Sequence, residues 1–298
     1  MNYQHSFHAG SLADVFKHWV LVLLLEKLNQ KQTPFGVLDT HAGAGFYDLK
    51  GDNAQRTLEY EGGIGKLIKA ENIPAAFQTY LQLVSSCQDG NFGLPDNYFG
   101  TARQTSAPFS KNKVLRYYPG SPYIIQQFLR EHDRLIACEL HAETYRWLKQ
   151  NLDYEKRAAL HEQDAYHGMK AFLPLKEKRG LILIDPPFEV DNEFKLIVEA
   201  LKIALHRFQQ GIYAIWYPIK HRPPVRAFHE QLQKLAPGKV LIAEVLQRDD
   251  DDAGKLNGNG MAIINPPWQL QETLAANMPW LATYFALDAG ARAEVKLI

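Results

Sequence analysis

The stretch LILIDPPFEV, residues 181–190, joins an apolar run to an acid, two prolines and an aromatic ring. Continuous apolar runs of this length are typical of parallel strands that are buried on both faces of a sheet. Such a strand usually ends in a flexible polar turn, whereas here Pro186 and Pro187 stiffen the backbone directly after Asp185. The sequence therefore predicts a buried strand whose end holds a carboxylate still.

Strand-like runs recur along the chain, and helical patterns separate most of them. They are GVLDT (36–40), RLIACEL (134–140), AALHEQD (158–164), GLILIDPP (180–187), GIYAIWYP (211–218), KVLIAEVLQ (239–247) and GMAIINPP (260–267). Strands that alternate with helices form a mostly parallel sheet covered on both faces, with its ligand crevice beyond the carboxyl ends of the strands. We therefore expect an α/β fold with a seven-stranded, mostly parallel sheet.

The connection from the first strand to the second is too long for a simple crossover. It has 88 residues between Gly45 and Arg134, whereas a crossover needs only about a dozen. Helix-like pieces fill its first part, and residues 91–113 are irregular. We predict a helical subdomain over residues 50–118, inserted into a main domain formed by residues 1–49 and 119–298.

Composition narrows the class of protein. The chain of 298 residues has 33 Lys and Arg against 33 Asp and Glu, so any nucleic-acid site must come from local clusters of basic residues. Its two cysteines, Cys87 and Cys138, fit a reducing cytoplasm and argue against a disulfide framework or a zinc ribbon. The apolar run at 19–25 is too short to span a membrane. We expect a cytoplasmic protein without membrane association.

Acidic residues lie at or near the ends of the first four strands: Asp39, Glu139, Asp164 and Asp185. A carboxylate at Glu139 can accept hydrogen bonds from both hydroxyls of a ribose, although an acid that stabilises a helix N-terminus would look the same. Asp164 can accept from an exocyclic amine, or can simply cap the next helix. After the first strand, Gly43 and Gly45 permit a tight turn close to a ligand, but Asp48 stands where a dinucleotide fingerprint needs a third glycine.

The segment DPPF offers only hydrogen-bond acceptors, because Pro186 and Pro187 carry no N–H group. An acceptor-only segment followed by Phe188 suits an amino group on a planar ring that stacks on the aromatic side chain. A turn without a function is the alternative. A similar segment, NPPW at 265–268, follows the last predicted strand; we prefer Asp185 because its strand comes directly after the strand of Asp164.

In this order, the glycine turn, the two acids and D-P-P-aromatic resemble the S-adenosylmethionine-dependent amino-methyltransferases. Further matches are YQHSFHAGSLADVFKHWVLVLLLEKL (3–28), RYYPGSP (116–122) and INPPW (264–268). With them, nearly the whole chain resembles the bacterial RlmJ family, which methylates N6 of an adenine in 23S ribosomal RNA. The resemblance implies a Rossmann-like class I methyltransferase fold, with S-adenosylmethionine as cofactor and S-adenosylhomocysteine as product.

The resemblance also implies roles for individual residues. With our own assignments of Asp39 and the two glycines, the cofactor-binding set is His18, Asp39, His41, Gly43, Gly45, Ser121, Glu139, Asp164 and Ala165. Asp185 and Pro186 are the expected catalytic acceptors, with Phe188 stacking on the base, and Tyr3, His5 and Lys17 match positions that handle substrate. Two departures are Phe188, where the family usually has Tyr, and a longer stretch at 91–113. Without the resemblance, a core histidine is the alternative interpretation of His18, and a solvated lysine that of Lys17.

Basic residues cluster in 220–239 and in KNKVLR, 111–116. We predict that Lys220 and Arg222 contact phosphates, with a solvated helix face as the alternative. No metal is expected, because His5 and His8 lack an evident third ligand. The expected partner is 23S ribosomal RNA in a single-stranded or protein-free form, bound by a monomer.

Two other functions are compatible with these motifs. One is DNA adenine methylation or non-catalytic nucleic-acid handling linked to the use of external DNA. The other is glutamine methylation of a protein, which we disfavour because such enzymes usually carry Asn at the position of Asp185.

Overall fold

The computed structural model describes residues 4–88, 114–250 and 254–298. Its strands are β1 Gly36–Asp39, β2 Phe46–Asp48, β3 Tyr117–Pro119, β4 Arg134–Glu139, β5 Ala158–Glu162, β6 Gly180–Ile184, β7 Ile212–Ile219, β8 Val240–Leu246, β9 Gly258–Ile264 and β10 Arg292–Leu297. Its helices are α1 Leu12–Asn29, α2 Asp52–Thr57, α3 Glu59–Gly62, α4 Ile64–Leu67, α5 Gln78–Gln88, α6 Ser121–Phe128, α7 Ala142–Leu152, α8 Ala165–Phe172, α9 Glu193–Arg207, α10 Arg222–Leu235 and α11 Leu270–Tyr284. Short 3-10 turns cover His5–Phe7 and Ala75–Phe77.

The main sheet has eight strands in the order β10-β8-β9-β7-β6-β1-β4-β5. The five from β7 to β5 are parallel, and β9, β8 and β10 continue the sheet in antiparallel fashion. All seven predicted strands form, so the α/β fold with a mostly parallel sheet is confirmed, but the predicted number of strands is wrong by one. The missed strand, β10, is a sheet edge whose charged residues Arg292, Glu294 and Lys296 interrupt the apolar pattern of a buried strand.

Two apolar clusters cover the faces of the sheet. Leu181 and Leu183 of β6 join the cluster that contains α1, whereas Ile182 and Ile184 join the cluster that contains α9. Because successive side chains of a strand point to opposite faces, burial on both faces requires the continuous apolar run seen in β6.

Helices α2 to α5 follow β2 and pack into the same core as α1. Ile64, Phe77 and Tyr80 belong to that core, and the indole N–H of Trp19 in α1 donates to the carbonyl of Ala76 at 2.9 Å. Whether residues 50–118 fold as a separate subdomain stays a prediction, and residues 91–113 lie outside the described residues. No helix in the described ranges is both long and apolar enough to cross a bilayer.

The segments NPPW and DPPF lie at opposite ends of the parallel strands. NPPW follows β9, which runs antiparallel to β7, and the Asn265 side chain donates to the carbonyls of Gln209 and Gly211 just before β7 begins, each at 2.8 Å. NPPW is therefore a structural turn at the amino ends of the parallel strands.

Candidate functional site

A cavity of about 690 Å³ lies beyond the carboxyl ends of the parallel strands. Most of the residues selected from the sequence line it: His5, Lys17, His18, His41, Gly43, Ser121, Glu139, Asp164, Ala165, Asp185, Pro186, Phe188 and Lys220. Asp39 and Gly45 do not line the cavity itself, and Tyr3 lies outside the described residues.

The glycine turn after β1 forms one wall of the cavity. Gly43 and Gly45 have φ of 63° and 77°, in the left-handed region that glycine adopts most easily. The N–H of Gly43 donates to Glu139 Oε2 at 2.9 Å, and the carbonyl of Gly45 accepts from the N–H of Gly120 at 2.9 Å. These bonds hold the turn between the end of β4 and the start of α6.

Asp39 is a buried carboxylate at the end of β1. It is fully buried, and neither oxygen has a hydrogen-bond partner among the described residues. Burial raises the pKa of Asp39 to about 7, and the nearby Ser121 hydroxyl and Lys17 ammonium offset burial only in part. The carboxyl group is therefore poised to change its charge near neutral pH.

Glu139 and Asp164 stand at the ends of neighbouring strands β4 and β5. Glu139 Oε1 accepts from the N–H of His141 at 2.7 Å, yet burial outweighs this bond and the one from Gly43 and raises the pKa of Glu139. Asp164 accepts from the N–H of His167 at 2.8 Å, so it caps α8 as the alternative interpretation held. Binding of a ribose or an amine by these acids stays a prediction.

Two neutral imidazoles face the same cavity. His18 Nδ1 lies 2.8 Å from the Tyr118 hydroxyl, and His41 Nδ1 lies 2.8 Å from the Thr40 hydroxyl. Burial lowers the pKa of both His18 and His41 to about 3, and the nearby charge of Lys17 contributes to both shifts. At neutral pH each ring therefore has one nitrogen that donates and one that accepts.

Asp185 follows β6 and forms an ion pair with Lys17 of α1. Lys17 donates to Asp185 Oδ2 and lies 2.9 Å from Asp14 Oδ1, so one ammonium joins two carboxylates. The Lys17 side chain is only 4% exposed, and although burial lowers the pKa of Lys17, the charges of Asp14 and Asp185 raise it well above its ordinary value. The pair fixes Oδ2 of Asp185, and among the described residues no donor to Oδ1 is found.

Phe188 forms an aromatic wall beside Asp185. Its φ of 51° is in the left-handed region, which costs a bulky residue free energy and marks a constrained turn. Its ring makes edge contacts with Phe194 at 5.0 Å and Trp216 at 5.8 Å between centroids. The ring position is therefore set by packing, as a stacking surface requires.

Known proteins similar to this chain identify the family. The family model described as "Ribosomal RNA large subunit methyltransferase D, RlmJ" matches residues 32–107 and 96–297. Proteins named ribosomal RNA large subunit methyltransferase J, from Escherichia coli (strain K12) and Haemophilus influenzae (strain ATCC 51907 / DSM 11121 / KW20 / Rd), are each 37% identical over 281 residues, 94% of this chain and 92% of theirs. The chain belongs to the RlmJ family. A crystal structure of a Legionella pneumophila protein, 32% identical, matches with a TM-score of 0.83 and covers 97% of this chain and 98% of that one.

The RlmJ resemblance inferred from the sequence is thus confirmed, whereas the individual residue roles stay predictions. Lys220 is exposed at the cavity rim. Arg222 instead donates to buried Glu244 and to Asp250, so a structural ion pair already accounts for its charge. Within the described ranges, no group of three metal-binding side chains comes together.

Two residues that line the cavity of this RlmJ-family chain were not predicted from the sequence. Asp14 lines the cavity and contacts Lys17, and its position three residues earlier on the same helix is the signal that indicates contact. Trp216 lines the cavity, and Lys17 Nζ lies 5.9 Å from the centre of its ring. Its place in the strand GIYAIWYP, beside the strand of Asp185, is the only hint that the sequence gives.

Proposed function

We propose that this protein transfers a methyl group from S-adenosylmethionine to N6 of an adenine in 23S ribosomal RNA, in the cytoplasm. Membership of the RlmJ family supports the reaction class. One observation supports an adenine amine as the group that receives the methyl. The Asp185-Pro186 segment offers only hydrogen-bond acceptors, which suit an amine, and it lies beside the ring of Phe188.

The residues present fit S-adenosylmethionine, which supplies a methyl group on a positively charged sulfur. Glu139, Asp164 and Ala165 line the cavity; in this proposal the Glu139 carboxylate binds the ribose hydroxyls, and Asp164 with the backbone of Ala165 binds the adenine of the donor. His18, His41 and Ser121 supply polar groups for the methionine part, above the buried carboxylate of Asp39. No metal takes part in this proposal.

Asp185 makes the adenine amine a better nucleophile. The nitrogen lone pair is delocalised into the ring, so the amine must become more tetrahedral before it attacks a methyl group. Asp185 Oδ1 accepts one N–H and the Pro186 carbonyl accepts the other, while Phe188 stacks on the ring. Such alignment of reactants can contribute as much as about 7 to 11 kcal/mol to lowering the barrier.

The target adenine must leave its stack to enter the cavity, at a cost of a few kcal/mol that is smaller in single-stranded RNA. We therefore propose protein-free RNA with a loosened target region as the substrate, bound by a monomer. Lys220 at the rim then contacts the phosphate backbone.

Three parallel incubations with labelled S-adenosylmethionine test the proposal: unmodified 23S ribosomal RNA, genomic DNA and cell protein. Label in N6-methyladenine of RNA, lost in Asp185→Asn while the variant still binds the donor, is the expected result. Label in DNA adenine or in protein glutamine alone would overturn the proposal.

A further inference from the structure

Asp14 is a buried carboxylate that binds three donors from three parts of the N-terminal region. It is 1% exposed. Its Oδ2 accepts from the N–H of Gly10 and from His5 Nε2, each at 2.9 Å, and its Oδ1 lies 2.9 Å from Lys17 Nζ. One side chain thus ties the segment before α1 to the first turns of that helix.

The charge of Asp14 is balanced within the site. Burial by itself raises the pKa of Asp14, but its contact with His5 and the charge of Lys17 outweigh burial and hold that pKa well below its usual range. A buried carboxylate that stays ionised keeps Lys17 ionised beside it. The positive charge of Lys17 therefore stabilises the negative charges of both Asp14 and Asp185.

The same contacts set the geometry around Asp185. Lys17 reaches Asp185 across 168 residues of sequence, and its ammonium also contacts Asp14. His5, which lines the cavity, has its Nε2 fixed by the same carboxylate. A shift of Asp14 would move Lys17 and His5 together.

We propose that Asp14 is a positioning residue for methyl transfer: it holds Lys17 against Asp185 Oδ2 and holds His5 over the cavity. This inference rests on the proposed function. Asp14 does not need to touch either substrate; it acts through Lys17 and His5, and its removal slows the transfer step rather than donor binding.

A purely structural role for a buried carboxylate has a matched control in this chain. Asp133 is fully buried and also binds several donors: the N–H of Phe35 at 2.9 Å, and the N–H and Nε of Arg130, each at 2.8 Å. It directly precedes β4, at the amino ends of the parallel strands, whereas the cavity lies beyond their carboxyl ends. Asp133→Asn should therefore reduce stability without slowing methyl transfer by folded enzyme.

The test measures single-turnover methylation of unmodified 23S ribosomal RNA with saturating S-adenosylmethionine, donor affinity by calorimetry and folding by circular dichroism. Asp14→Asn should lower the transfer rate roughly 100-fold, because a misplacement of about 1 Å can have that effect. Its donor affinity should stay within about threefold of wild type, because Glu139 and Asp164, the proposed donor-binding carboxylates, are held by bonds to other residues. A normal rate in Asp14→Asn, or an equal loss in Asp133→Asn, would overturn the inference.

A double-mutant cycle separates action through Lys17 from an independent effect. If Asp14 acts through Lys17, the Asp14→Asn/Lys17→Met variant loses clearly less than the product of the two single losses; losses that multiply would reject the proposed coupling. Asp14→Glu keeps the charge and serves in the same cycle if Asp14→Asn does not fold. Absence of RNA methylation by wild type would refute the proposed function itself, which no result with Asp14 variants can do.

Discussion

Replacing Asp39 by Asn should stabilise the protein without ligand, and only above a certain pH. Asp39 is fully buried with no hydrogen-bond partner among the described residues, and burial raises its pKa to about 7. In the unfolded chain the pKa of Asp is about 3.9. Between these two values the folded protein binds more protons than the unfolded chain, so this group makes the free energy of unfolding fall as pH rises.

The size of the effect follows from the difference between the two pKa values. A difference of about 3 units at about 1.36 kcal/mol each gives an upper limit of about 4 kcal/mol. Asp39→Asn removes the charge but keeps the shape. The gain in the free energy of unfolding should be near zero at pH 4, grow through pH 5 to 7 and level off above pH 8.

Urea unfolding followed by tryptophan fluorescence measures this gain for wild type and variant at a series of pH values. The comparison cancels the contributions of titrating groups that do not interact with Asp39, because both proteins carry them alike. A difference in unfolding free energy that does not change between pH 4 and pH 8 would refute the assignment of a raised pKa to Asp39.

Three further outcomes concern Arg222, Lys220 and Phe188. Arg222→Gln should reduce the free energy of unfolding by about 3 to 5 kcal/mol because it leaves Glu244 buried without its cation; a stable variant would contradict this. Lys220→Gln should leave stability nearly unchanged but reduce the salt slope of RNA binding by about 1, and an unchanged slope would remove Lys220 from the RNA contacts. Phe188→Tyr should keep activity in a methylation assay, whereas Phe188→Ala should lose stacking of about 1 to 3 kcal/mol; equal activities would exclude stacking.

Much of the fold was predictable because strand burial leaves a direct mark on sequence. The apolar run of β6 and the acid that follows it located both the sheet and the strand ends at which the cavity lies. By contrast, β10 was missed because an edge strand tolerates charged residues, which hide the strand pattern.

The partners of charged side chains were less predictable. Sequence spacing places Asp14 beside Lys17 on one helix, but nothing local indicates that Lys17 meets Asp185. Likewise, Arg222 lies in a basic segment, and only the folded sheet brings it to Glu244. The number of charged residues in a segment predicts that the segment is exposed, whereas tertiary packing decides which charged residues form buried ion pairs.

The ammonium group of Lys17 offers a way to observe the site directly. An amine enclosed by Asp14, Asp185 and the ring of Trp216 should exchange its protons with water more slowly than the lysines on the surface. Its N–H signals should therefore persist in nitrogen-resolved magnetic resonance spectra at neutral pH. A change in those signals when RNA is added would report, without any substitution, whether a base has reached Asp185.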